Sequence, residues 1–259
     1  MIKKIFFTVI AFVLIVSCFS AYGSANGSFS WYTVRNKDHK QPRLDAPLSF
    51  IEKYGAIYVD KAHGDNSEEK VIYLTFDVGY ENGNVEKILN VLKEEDVTGA
   101  FFILGNLLVK NPELIDRMMS EGHLICNHSY HHPDMTKLGS FEKFKQEISF
   151  MEDTFRNTTG KDIAKFYRPP EGRFDEKTLS YAKEMGYKTV FWSFAYADWD
   201  NSKQPDPAAA FDKIMSNVHN GAIMLFHPTS ATNAAIMKDV ILELKAQGYR
   251  FATLNEIGG

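Results

Sequence analysis

The chain has 259 residues, 44% of them apolar and 24% charged, with a formal charge of −4. That length buries one large core or two small ones, and the acidic balance excludes the basic character that nucleic-acid binding requires. Its two cysteines, Cys18 and Cys126, rule out a disulfide framework, so the core must supply stability.

Residues 1–25 read as a targeting segment. Lys3 and Lys4 precede the run 5–16, which is apolar except for Thr8, and Ser20, Ala21, Gly23, Ser24 and Ala25 follow it. This is the layout of a secretory signal peptide, and the run is short for a spanning helix. Cleavage is expected after Gly23 or Ala25, and losing Lys3 and Lys4 takes the formal charge from −4 to −6. An uncleaved membrane anchor is the alternative. Ile15, Val16, Ser17 and Cys18 also resemble a bacterial lipobox, which would make the product a lipoprotein through Cys18. Either way the chain is expected outside the cytoplasm, in the cell wall, membrane-anchored or associated with spores.

Residues 26–68 carry no clear period. They are expected to form an N-terminal extension lying over a domain at 69–259, pinned by Trp31, Tyr32, Phe50 and Ile51, with the polar stretch GDNSEEK at the boundary. From Val71 apolar, β-branched or aromatic runs recur near 71–76, 99–104, 123–126, 166–168, 188–193, 222–226 and 250–253. Between them lie helical stripes: Val85, Ile88, Leu89 and Leu92; Leu114, Ile115, Met118 and Met119; Phe141, Phe144, Ile148, Met151 and Phe155; Leu179, Ala182 and Met185; Ile236, Val240, Ile241 and Leu244. Strands alternating with helices predict βαβ units, a parallel sheet and an α/β fold, with about seven units favouring a barrel over an open sheet. The stretch 200–207 reads as a loop.

Polar residues gather just past the ends of these runs: Asp77; Asn127, His128, His131 and His132; Arg168; Asp198 and Trp199; His227. In parallel α/β folds that rim is where active sites form. In NHSYHHP (127–133), His128 and His132 are four apart, so a helical turn would let both imidazoles share a metal, while His131 points elsewhere.

Five stretches, TFDVGY, HSYHHP, RPPEG, ADW and IMLFH, resemble in order the motifs of the polysaccharide deacetylase family, carbohydrate esterase family 4, with its NodB homology domain. The resemblance spans residues 69–256 and implies a distorted (β/α) barrel of seven or eight units and a metal-assisted deacetylase. Carried over by position, Asp77 is the general base, His128 and His132 hold a divalent metal, and a backbone N–H near Glu171 helps the metal stabilise the oxyanion. Arg168 keeps Asp77 ionised, His227 protonates the departing amine, and Asp198 holds His227. Tyr80 and Trp199 are expected to line the sugar groove. Two histidines suit zinc, though such sites also take manganese, cobalt or nickel.

The chain departs from the family pattern. The usual third metal ligand, an aspartate, is Val78 here, so the site is expected to be weak or atypical; Ala195 replaces the first aspartate of the fourth motif. TFDVGYENG, FWSFAYADW and RPPEGRF resemble the branch that acts on N-acetylmuramic acid and leads to muramic δ-lactam in spore cortex, with Arg173 as a candidate to grip the lactyl carboxylate. The expected partner is therefore a peptidoglycan strand, met by a monomer. The alternatives are N-acetylglucosamine deacetylation on peptidoglycan or chitin, and an inactive glycan-binding domain.

Overall fold

The computed structural model describes residues 27–35 and 38–257. The expected targeting segment 1–25, with Cys18, lies outside them. Seven parallel strands form the central sheet: β2 (Lys70–Val78), β3 (Ala100–Ile103), β4 (Leu124–Asn127), β5 (Ala164–Tyr167), β7 (Lys188–Thr189), β8 (Ala222–Phe226) and β9 (Tyr249–Phe251). The order is β7-β5-β4-β3-β2-β8, and β9 pairs with the start of β2. A separate two-residue ladder joins β1 (Phe29–Ser30) antiparallel to β6 (Arg173–Phe174).

The period-2 alternation of a strand explains the layering. On β2, Ile72, Leu74, Phe76 and Val78 join the apolar layer under the helices, while Val71 and Tyr73 join the inner cluster with Phe102, Cys126 and Ile223. The outer layer is covered by α1 (Asn84–Glu94), α2 (Gly105–Lys110), α3 (Pro112–Ser120), α4 (Phe141–Thr159), α6 (Pro207–Met215) and α7 (Ala231–Ala246). α5 (Glu176–Glu184) packs against the 3-10 helix Ala46–Tyr54 of the extension. Each fully buried Leu, Ile or Phe in these layers contributes about 1.5–3 kcal/mol.

The sheet curls. Its edges β7 and β8 are brought together by the extension, where Ile57 bridges Val190 and Val59 bridges Ala222, and by a parallel bridge from Phe194 to Met224. The result is a barrel-like α/β fold with a packed lumen, as the sequence implied. The five expected helices form. Two further helices, α2 and α6, escaped the sequence reading, and the strand expected over 188–193 ends at Thr189. Trp31 and Ile51 are buried and Phe50 is half-buried, but Tyr32 is exposed and donates its hydroxyl to Asp45 instead of pinning the extension. Among the described residues no helix is long and apolar enough to cross a membrane.

Candidate active site

The strand alternation that fills the lumen also aims the polar residues. Tyr73, Thr75 and Asp77 follow one another at every second position of β2; Cys126 leads to His128, Phe166 to Arg168, and Ile223 to Leu225 and His227. All these strands run parallel, so the last residue of each set arrives at the same C-terminal mouth. A cleft of about 560 Å³ opens there, lined by Asp77, His128, His132, Glu171, Trp199 and His227, with Trp192, Tyr196 and Leu225 in its wall.

Arg168 is fully buried beneath the cleft. Its guanidinium donates to Asp77 Oδ1 (2.8 Å), Thr75 Oγ1 (2.9 Å), Val190 O (3.0 Å) and Phe191 O (3.3 Å), and lies 4.1 Å from the Phe102 ring centroid. Burial works against the Asp77 charge, but the Arg168 charge and hydrogen bond above all, helped by His227, outweigh it and hold the carboxyl below the usual carboxylate range. Asp77 is thus an ionised base at neutral pH.

On the other pair, His227 Nδ1 donates to Asp198 Oδ1 (2.8 Å), and Asp198 Oδ2 accepts from the His227 backbone (2.9 Å) and from Asn233 Nδ2 (2.6 Å). Burial alone would lower the His227 pKa; the hydrogen bond and charge of Asp198 overcome it and leave the ring above its ordinary value. Asn233 is placed by α7, whose N-cap Ser230 bonds the Asn233 N–H, and Asn233 Oδ1 accepts the Tyr196 hydroxyl.

His128 and His132 meet with ring centroids 5.0 Å apart, but not through a helical turn. Ser129 and His132 hold left-handed backbone, φ 67° and 62°, and the Ser129 hydroxyl accepts the His132 N–H. His131 faces away, paired with Glu147 at 2.9 Å.

The His128 Nδ1–H must donate to the Arg168 carbonyl (2.9 Å), which leaves the Nε2 lone pair on the cleft side, 3.5 Å from Asp77 Oδ2. Burial pushes its pKa down to about 4, so it is neutral. A neutral imidazole oriented through its other nitrogen is the form a cation takes up. Val78 supplies nothing, being packed in the apolar layer. Among the described residues no three His, Cys, Asp or Glu side chains cluster as a metal site. What the residues offer a divalent cation is therefore limited to two imidazoles of the right donor type, with the Asp77 carboxylate 3.5 Å from His128 Nε2.

The remaining nominated residues stand further out. Trp199 is 61% exposed, its ring 6.2 Å from that of His227. Tyr80 is exposed, and its hydroxyl accepts from Asn201 Nδ2 at 2.6 Å. Glu171 lines the cleft with left-handed backbone (φ 57°), and its carboxylate pairs with Arg173 Nε at 2.8 Å. Arg173 also reaches Asp134 at 3.4 Å and is not among the lining residues. The sequence reading passed over Thr75 and Asn233, which bond Arg168 and Asp198; the even spacing of Thr75 before Asp77 was a usable signal, whereas nothing local marks Asn233.

A family model described as "Polysaccharide deacetylase" matches residues 64–190. The chain is 42% identical over 233 residues to the peptidoglycan-N-acetylmuramic acid deacetylase PdaA of Bacillus subtilis, covering 90% of this chain and 86% of that one. It superposes on the solved structure of that protein, described as a family 4 carbohydrate esterase, with a TM-score of 0.83 and 41% identity over 90% of this chain and 98% of the other. A family 4 carbohydrate esterase from Bacillus anthracis matches with a TM-score of 0.72 and 35% identity over 90% and 96%. A peptidoglycan-N-acetylglucosamine deacetylase of Bacillus cereus is 32% identical over 212 residues, 80% of this chain and 74% of that one. The chain belongs to the polysaccharide deacetylase family and is a hydrolase of non-peptide carbon–nitrogen bonds.

Proposed function

We propose that the chain removes the acetyl group from N-acetylmuramic acid in peptidoglycan, the step that leads to muramic δ-lactam in spore cortex. The observation that carries this reading is a single cleft holding a buried carboxylate whose charge Arg168 favours and, across from it, an imidazole whose charged form Asp198 favours. Amide hydrolysis needs that pair in those two states. Asp77 takes a proton from the attacking water, whose oxygen bonds to the acetamide carbon. The C–N bond breaks, His227 passes its proton to the sugar amine, and acetate leaves. A backbone N–H near Glu171 would help to stabilise the developing oxyanion. His128 and His132 would hold a divalent cation, zinc being the ion two imidazoles suit, and when bound it supplies Lewis-acid polarisation of the carbonyl. Trp199 and Tyr80 offer rings to the glycan. The freed amine stands beside the lactyl carboxylate of the same sugar, and proximity favours closing the lactam.

The choice of sugar is supported by the Bacillus subtilis relative, which is named for it. One observation favours N-acetylglucosamine instead: Arg173, the cation nominated for the lactyl group, is already engaged by Glu171 and Asp134. Residues 1–25 serve export or anchoring in this reading, with 26–68 as extension and 69–259 as the deacetylase domain.

The test treats purified glycan strands with the enzyme and analyses the muropeptides by mass spectrometry. Deacetylated muramic acid supports the proposal, glucosamine transfers it to the alternative, and no acetate release from either sugar, with or without added zinc, rejects both.

A further inference from the structure

Two stretches of the cleft wall lie outside the regular strands, the second of them tied to β8 only around Ser193 and Phe194. Glu171 and Gly172 lie between β5 and the two-residue β6 with left-handed backbone, φ 57° and 63°. Residues 192–196 follow the two-residue β7. Both are held from behind by one strap, residues 29–35, which lies outside the part of the chain matched by the family model.

The strap's contacts run along both stretches in order. Phe29 and Ser30 pair with Phe174 and Arg173. The Trp31 N–H donates to Gly172 O (2.8 Å), and its indole N–H donates to Trp192 O (2.8 Å). The indole stacks on Phe191, ring centroids 4.2 Å apart and planes 13° from parallel. A Cβ on Gly172 would stand 3.1 Å from Trp31 Cβ and 2.7 Å from the Trp192 ring, so glycine is needed for the three segments to close together. Further on, Thr33 Oγ1 donates to Ser193 O (3.5 Å), and Arg35 donates to Ala195 O while lying 5.6 Å from the Phe194 ring centroid. Trp31 is buried yet does not itself line the cleft.

We propose that residues 29–35 brace the substrate cleft, and that Trp31 is a positioning residue that fixes the walls at Glu171, Gly172 and 192–196 against a bound glycan. This inference rests on the deacetylase reading and deepens it: the extension sets the shape of the groove, while the barrel sets the chemistry. The two act on different kinetic quantities. Asp77 with Arg168 and Asp198 with His227 are paired within the barrel, so loosening the strap weakens binding of the sugar chain more than it slows the bond-breaking step.

The test measures kcat and KM on a tetrasaccharide of alternating N-acetylglucosamine and N-acetylmuramic acid, and Kd for the same glycan by calorimetry. Trp31→Ala is expected to raise KM and Kd roughly tenfold and to change kcat less than about threefold. Ile115→Ala, a buried cavity on α3 in a cluster that does not include Trp31, is the control for lost stability and should leave KM near wild type. Trp31→Phe, which keeps the stacking on Phe191, should restore most of the affinity. Arg35→Ala, at an exposed position, should raise KM about threefold, and gives the answer should Trp31→Ala fail to fold. The brace is overturned if Trp31→Ala and Ile115→Ala shift KM alike, if the Trp31→Ala loss falls on kcat alone, or if Arg35→Ala in a folded protein leaves KM and Kd unchanged. Wild-type protein that binds the glycan but releases no acetate would instead reject the deacetylase reading, and Kd would still decide the brace.

Discussion

Asp77 and Arg168 are both buried, so neither can be removed without stranding the other. Asp77→Asn should lower acetate release at least ~100-fold, the share of a positioned base, and also destabilise the fold by about 3 kcal/mol, because Arg168 loses its counter-charge. Acetate assays paired with urea unfolding check both; a variant as stable as wild type would mean that the ion pair is not what compensates Arg168. The two catalytic groups respond to pH with opposite sign. The Asp77 pKa is depressed on folding, so its stabilising contribution is present above about 3.9 and is lost as pH falls through the lower folded value. The His227 pKa is raised, so its contribution is full below about 6.5 and is lost as pH rises through the higher folded value. The alkaline limb of kcat/KM should therefore sit above 6.5. Asp198→Asn removes the hydrogen-bonded charge that raises the ring most, leaving burial, which lowers it, against the weaker pull of Asp77, so the limb should move to lower pH. A limb that stays put would separate it from His227. Asp77, Arg168 and His227 were legible in the sequence because each closes or follows an apolar run on the lumen parity, whereas Asp198 lies in irregular chain and was marked only by the ADW motif. Asn233 was not, since its partner lies 35 positions away and only folding joins them.

At the scale of elements, the strongest sequence signals were strands buried on both faces. β2 and β8 appear where expected because a parallel strand buried on both faces reads as a nearly continuous apolar run. The run 188–193 looked the same, but its chain leaves the sheet at Thr189 to bridge Ile57 and bond Arg168 through the Val190 and Phe191 carbonyls, which composition does not show. α6 was missed for the opposite reason. Its start signal, Asp206 capping the Ala209 N–H and Pro207 as the first helical residue, sits at the end of the polar stretch 200–207, which has the composition of a loop. The ladder of β1 and β6 is two residues long and has no period to read. β4 carries a liability at its base. His123 is buried, with Nδ1 accepting the Gly99 N–H (3.1 Å) and Nε2 without a hydrogen bond, 4.0 Å from Glu121; burial outweighs the Glu121 charge and pushes its pKa down to about 4. A histidine lowered on folding gives stability that is full above about 6.5 and drains as pH falls toward 4, worth at most about 3 kcal/mol. His123→Gln retains an acceptor and cannot titrate. It should flatten the dependence of the urea midpoint on pH across that window, and an unchanged slope would clear His123 of the acid sensitivity.

For the whole molecule, sequence periodicity could not decide between barrel and open sheet, because closure is made by residues that carry no period. Ile57 and Val59 of the extension bridge the two sheet edges, and Gln41 donates to the carbonyls of Asp60, His63 and Asn220, tying the same turn to the loop that begins β8. At the centre of that junction Gly221 has φ 70°, and a Cβ there would lie 2.4 Å from the Asp60 carbonyl oxygen and 2.7 Å from that of His63. Both neighbours are backbone, so neither can rotate away. Gly221→Ala must therefore strain a left-handed residue and push the extension off the barrel together, costing at least about 2 kcal/mol. In a chain of this size that lowers the thermal midpoint by roughly 4–8 °C. If the extension closes the barrel, it cannot melt first and leave a folded barrel behind. Calorimetry should show one transition in both proteins, with calorimetric and van't Hoff enthalpies agreeing, and the variant's moved down as a unit. A second, earlier transition in Gly221→Ala, with the main one unmoved, would show that the barrel closes without its extension.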